Sequence, residues 1–301
     1  MDQTPKNGDR SARRAGTTSA WRALLGGCLL AALIAGAALA AAAPRRVASL
    51  NPCLDAILVE VADPGQIAAL SHYSRDPAQS AMAAVARRYP FTWGSAEEVV
   101  ALRPDLVLTS GVGGAALTGV LPSLHVRQES FTVPDTVEQS LAQVRRVATL
   151  VGHPDRGEAL VGRIRSALAA AAPRPGEPRL AALIYEHHGL ASGPGTLVDE
   201  LMRRTGFDNL APVYGLARTG EVPLELLVAN PPRVLLAGRL FPGEPVWADR
   251  VLSHPALAAL APRMRRETFP ETLMFCGGPS IIAASAALAG AREDALMGRS
   301  R

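Results

Sequence analysis

Short apolar runs alternate with amphipathic stretches from Arg45 onward, the pattern of parallel strands and their crossover helices. Val47–Leu50 reads as a first strand, and Ile57–Val61 falls in the helix after it. Gln66–Ser71 predicts a second strand that runs into polar His72, Tyr73, Ser74 and Arg75. Ser95 caps a further helix in which Glu98, three residues on, completes a capping box. That helix ends before Pro104, and Asp105–Thr109 follows as a buried strand leading into the glycine-rich Ser110–Gly114 loop. Leu124–Arg127 predicts one more strand.

Two long helices come next, over Thr136–Val151 and Asp155–Ala172, before three prolines within Pro173–Pro178 stop the pattern. The alternation then restarts. Strands are expected at Leu180–Tyr185, Arg233–Ala237 and Arg265–Thr268, and helices at Thr196–Thr205, Leu224–Ala229 and Pro279–Ala291. The chain therefore divides into an N-terminal α/β lobe over 43–152, a connecting helix over 153–175, a C-terminal α/β lobe over 176–296 and a tail at 297–301. Glu97–Leu108 in the first lobe parallels Glu225–Leu236 in the second, each reading as a short helix, a proline turn and a strand.

Charge changes little in this picture once it is located. The sequence pI is near 9.3, but residues 1–42 hold five basic and two acidic side chains, leaving 26 basic against 25 acidic in the remainder. A nearly neutral body removes the main support for nucleic-acid binding. Residues 1–42 themselves read as an export signal: a positive segment ending at Arg22, an apolar run from Ala23 to Ala43, and small residues at Ala38 and Ala40 that suit cleavage. The run is also long enough for an uncleaved membrane anchor. Either way the body is expected outside the cytoplasm, in the periplasm. Arg13-Arg14 lacks the residues that complete a twin-arginine signal, and Cys28 sits too early in the apolar run for a lipidation site.

The ordered set Arg46–Pro52, Val100–Leu108, Ala191–Leu201 with Gly206–Leu210, and Pro279–Ala284 resembles the cobalamin- and siderophore-binding family of periplasmic proteins. The resemblance implies the class III periplasmic binding protein fold: two Rossmann-like lobes with parallel sheets, joined by a long rigid helix. It implies a monomeric substrate-binding component of an ABC importer, not an enzyme, with no prosthetic group. Its cargo would be a metal chelate such as cobalamin, a ferric siderophore or haem, taken up between the lobes and delivered to a membrane permease. Glu97 and Glu225 correspond by position to the family's permease-docking glutamates, one per lobe.

Loops beyond the carboxyl ends of the strands should line the cleft. From the first lobe these supply Asn51, Cys53, His72, Tyr73, Arg75, Trp93 and Ser110; from the second, Glu186, His187, Arg239, Phe275 and Cys276. Trp93 and Tyr73 offer flat faces to a ring, and Arg75 and Arg239 are candidates for ligand carboxylates. Cys53 and Cys276 stand open to three readings: ligand or metal contact, aided by His72, His187 or His188; a disulfide that would join the lobes and hold the cleft shut; or inert buried thiols. A membrane-tethered sensor or cofactor-delivery protein could reuse the same fold. An exported hydrolase is the weaker competitor, because the sequence holds no G-x-S-x-G elbow, HExxH, Walker-A or GxGxxG element.

Overall fold

The computed structural model describes residues 43–110, 119–186, 189–237 and 254–298. The first sheet contains β1 (Val47–Ser49), β2 (Ile67–Ser71), β3 (Phe91–Thr92), β4 (Leu106–Ser110) and β5 (Arg127–Phe131). They lie in the order β3-β2-β1-β4-β5, all parallel. The second holds β6 (Leu180–Tyr185), β8 (Phe207–Asn209), β10 (Val234–Ala237) and β11 (Arg265–Thr268) in the order β11-β10-β6-β8, again parallel. A small antiparallel pair, β7 (Leu190–Ala191) and β9 (Gly220–Glu221), stands apart.

The two orders superimpose: β1, β2, β4 and β5 occupy the places of β6, β8, β10 and β11. That equivalence gives a structural basis to the internal repeat. The helices are α1 (Pro52–Val61), α2 (Ala83–Ala86), α3 (Ala96–Ala101), α4 (Val137–Leu150), α5 (Pro154–Ala171), α6 (Leu197–Arg204), α7 (Leu224–Ala229), α8 (Pro255–Ala258) and α9 (Ser280–Met297). Short α3 enters β4 in one lobe as short α7 enters β10 in the other.

Thr136 and Thr196 cap α4 and α6 through their hydroxyls, at the places the sequence predicts. The connecting helix α5 packs between α4 and α9. It buries Leu160, Val161, Ile164, Leu168 and Ala171 at helical spacing. One apolar core runs through this layer, from Val47, Leu58 and Leu108 to Ile184, Leu236 and Leu288.

The strand expected at Leu124–Arg127 begins instead at Arg127. Leu124 closes a helical turn and His125 takes a left-handed φ of 56°. β5 is an edge strand with mostly polar residues, so no apolar run marks it. The last helix runs on to Met297, past the expected end at Ala291.

Gly193 is fixed by a close approach. Its amide donates to the Arg218 carbonyl at 3.1 Å, and a Cβ there would sit 2.3 Å from that oxygen. Gly193→Ala is therefore expected to cost about 1–3 kcal/mol, because backbone rather than a flexible side chain must yield. Thermal unfolding should show a drop of several degrees, whereas Gly162→Ala, in open space on α5, should not lower Tm.

Candidate functional site

The segments that follow β1 and β11 meet through Cys53 and Cys276, so the carboxyl ends of these two strands face the junction between the lobes. Beyond β2, the helical turn His72–Arg75 is anchored from below by Asp55 on α1. One carboxylate oxygen of Asp55 accepts from the Ser71 amide at 2.8 Å and the Ser74 hydroxyl at 2.6 Å, while Oδ1 has no hydrogen-bond partner. Full burial pushes its carboxyl up to about 7, against the lowering effect of the Ser49 and Ser74 hydroxyls and the Ser71 amide.

A raised pKa means that the folded chain holds a proton here that the unfolded chain has released above about pH 4. Stability from this group is thus fully present below the unfolded value and declines as pH rises through about 7. Asp55→Asn keeps an acceptor for both donors without the buried charge. We expect it to raise stability at pH 8 and to flatten the decline between pH 4 and 7, as read by denaturant unfolding across pH.

Upon this turn sits a group of rings. The His72 ring centroid lies 3.8 Å from that of Tyr73 and 4.3 Å from that of Trp93. Phe91 meets Trp93 edge-on at 6.0 Å. Tyr73 is 44% exposed and Trp93 65%, so large faces of both rings are open to solvent. Phe91, also 41% exposed, was not among the expected site residues; only its place beside Trp93 could have pointed to it.

Trp93 is pinned by Glu98, whose carboxylate accepts from the Trp93 amide and the Thr92 hydroxyl, each at 2.7 Å. The expected capping box is therefore half-formed: Ser95 caps α3, but the Glu98 carboxylate reaches past Ser95 to β3. The Thr92 hydrogen bond leads the effects that hold that carboxyl below its ordinary value, with the Trp93 and Gly94 amides and nearby His72 adding to it and desolvation opposing.

Other expected residues have structural work. The Asn51 side chain caps α1, accepting from the Cys53 and Leu54 amides. Arg75 lies over the Phe91 ring at 4.5 Å and donates to the Arg87 and Tyr89 carbonyls, which holds its guanidinium against its own lobe. Ser110 ends β4 half-buried, and Glu186, just past β6, accepts from the Ser192 hydroxyl at 3.2 Å. Phe275 is 42% exposed beside Cys276. His187, His188, Arg239 and the Gly111–Gly114 part of the loop after β4 lie outside the described residues.

Cys53 and Cys276 are joined as a disulfide. This corrects the expectation that they ligate metal, since each sulfur has spent its thiolate on the other. Among the described residues no cluster of three or more His, Cys, Asp or Glu side chains could hold a metal ion. The bond links the first turn of α1 to the segment entering α9, and so joins the two lobes.

Three polar contacts tie the same junction. The Gly278 amide donates to Ser140 Oγ at 2.6 Å, Glu200 on α6 accepts from the Val137 amide at the start of α4 at 2.8 Å, and Arg218 pairs with Asp135 at 2.6 Å.

Glu97 and Glu225 are both exposed, each in the first turn of the short helix preceding an equivalent strand, β4 or β10. Residues 47–262 match the profile of the family described as Periplasmic binding protein. The chain belongs to that family. Solved structures agree with the fold of this periplasmic binding protein. The periplasmic heme-binding protein RhuT from Roseiflexus sp. RS-1 is 22% identical with a TM-score of 0.64, covering 82% of this chain and 98% of its own. A periplasmic heme-binding protein from Pseudomonas aeruginosa is 24% identical with a TM-score of 0.64, over 82% and 92%. The periplasmic vitamin B12-binding protein BtuF of Vibrio cholerae is 14% identical with a TM-score of 0.61, over 84% and 98%. These likenesses establish two parallel-sheet lobes of the class III kind. No curated protein sequence matches the chain.

Proposed function

We propose that this periplasmic binding protein captures a flat metal chelate, of the haem, cobalamin or ferric siderophore type, between its lobes and delivers it to an ABC permease. The observation that carries the reading is the exposed group of His72, Tyr73 and Trp93 at the carboxyl ends of β2 and β3. Aromatic residues are only 4% of the sequence, and open ring faces gathered beyond the carboxyl ends of β2 and β3 suit a planar, largely apolar partner. His72 adds an imidazole, a common metal-ligating side chain, to this group. The ligands for which the structural neighbours are named, heme and vitamin B12, are of this kind.

Export of the body through residues 1–42 would place it where such cargo arrives. Glu97 and Glu225, on topologically equivalent helices of two lobes tied as one body, would set two carboxylates at a fixed spacing for basic pockets of the permease. The test is a titration with haemin, cyanocobalamin and a ferric catecholate, read by absorbance and tryptophan fluorescence. One of them should bind with a Kd of about 1 μM or tighter. Failure of all three would remove the reading.

A further inference from the structure

Cys53 and Cys276 are 223 residues apart in sequence, and their bond crosses from the first lobe to the segment that follows the last strand of the second. The crossing is closely fitted. A Cβ on Gly278, which has a φ of +59°, would lie 2.8 Å from Ile57 on α1, and one on Gly277 would lie 2.4 Å from Ser140 Oγ on α4. The segment after Cys276 is thus pressed onto the first lobe, and the disulfide fastens it there. Among the described residues, the junction is also tied by the connecting helix, the apolar core shared by both lobes, two hydrogen bonds and the partly exposed Arg218–Asp135 pair.

Two further observations concern access. Both cysteines are only half-buried. A cavity of about 180 Å³, walled by Pro52, Ala56, Met82, Val85 and Leu273, has Cys276 in its lining. It is several times the volume of a water molecule and mostly apolar, large enough to admit a small thiol.

We propose that the Cys53–Cys276 bond is a reducible lock on the lobe junction, opened by a dithiol reductant that reaches Cys276 through this cavity. A donor thiolate attacks Cys276 Sγ, and Cys53 leaves as a thiolate and takes up a proton. The second donor thiol then displaces Cys276 from the mixed disulfide. The protein gains two electrons and two protons, and the donor becomes a disulfide. Oxidised, the lock holds Phe275 and the Asn51–Cys53 turn in register beside the cleft; reduced, the segment before α9 is free to lift from α1. The consequence for cargo, weaker retention, rests on the function proposed above, whereas the lock itself does not.

The experiment is hydrogen exchange with peptide-level mass spectrometry on the protein before and after dithiothreitol, with thiol alkylation to follow the bond, and with the Cys53→Ser/Cys276→Ser variant alongside. We expect reduction without denaturant and about tenfold faster exchange at Cys53–Asp55 and Cys276–Ile281. Exchange in β6 should stay unchanged, and the serine variant should match the reduced protein with or without dithiothreitol. A bond that resists dithiothreitol until the chain is unfolded overturns the proposal. So does unchanged exchange at those segments, or faster exchange in every strand, which would make the bond a plain stabiliser. Affinity for whichever of haemin, cyanocobalamin or ferric catecholate binds should fall about tenfold on reduction. Unchanged affinity overturns the effect on cargo, and no binding of any probe refutes the proposed function while exchange still decides the lock.

Discussion

Reversing Glu97 and Glu225 together to lysine is expected to abolish cellular uptake of the cargo while leaving its binding unchanged. Both side chains are exposed, so the cost to the fold is confined to the helix dipoles, about 0.3–1 kcal/mol at each first turn. At a docking surface the cost is much greater, because each reversed charge would face a basic pocket across a desolvating interface. Losing one partner of such a pair costs about 2–5 kcal/mol, and two reversals should lower uptake by more than about 100-fold. Each single reversal should give an intermediate loss. Glu138 is the control: it also lies in a first turn and is exposed, yet it pairs with Arg165 at 3.4 Å and has no counterpart in the repeat. Its reversal should leave uptake near wild type. Wild-type uptake by the double variant would remove the docking role.

Removing the ring faces at Tyr73 and Trp93 is expected to have the second large effect, on affinity. Each ring loses stacking worth about 0.5–1.5 kcal/mol in addition to the apolar area it covers, so Tyr73→Ala/Trp93→Ala should weaken cargo binding by about 100-fold. The rings are too exposed for their loss to disturb the core, and Tm should hardly move. Trp93→Phe should retain most of the affinity. Glu98→Gln should fall between, since the amide keeps an acceptor for the Trp93 backbone but loses the charge that strengthens the bond. Unchanged affinity in the double alanine variant would place the cargo elsewhere in the molecule.

The sequence carried the architecture further than it carried the site. Apolar runs such as Leu106–Leu108 and Val234–Leu236 announce buried parallel strands, and the Glu97 and Glu225 repeats reveal their equivalence before any coordinate does. Edge strands escape that signal: β5 is polar Arg127-Gln128-Glu129-Ser130-Phe131, and β3 is two residues long. At the candidate site, the turn carrying His72 and Tyr73 followed from the end of β2, whereas Trp93 was set beside it without the strand that carries it. The fates of Asn51 and Arg75 did not follow, because a capping carboxamide and an arginine bound to backbone carbonyls depend on tertiary neighbours that spacing does not encode. Asp55 was invisible for the same reason, one carboxylate in a helix with nothing to mark its burial. The cysteine pairing stayed one of three readings because two residues so far apart in sequence meet only when both lobes are placed.

The central claim, capture of a flat metal chelate, is tested most directly by what the protein carries when taken from its own cells. Native mass spectrometry with metal analysis, on protein isolated gently from cells supplied with haem, cobalamin and ferric siderophores, should find one chelate per chain and an equimolar amount of iron or cobalt. The adduct should be absent from the Tyr73→Ala/Trp93→Ala variant prepared in the same way. Protein that is metal-free throughout, or that carries a sugar, peptide or other metal-free molecule in place of a chelate, would contradict the account.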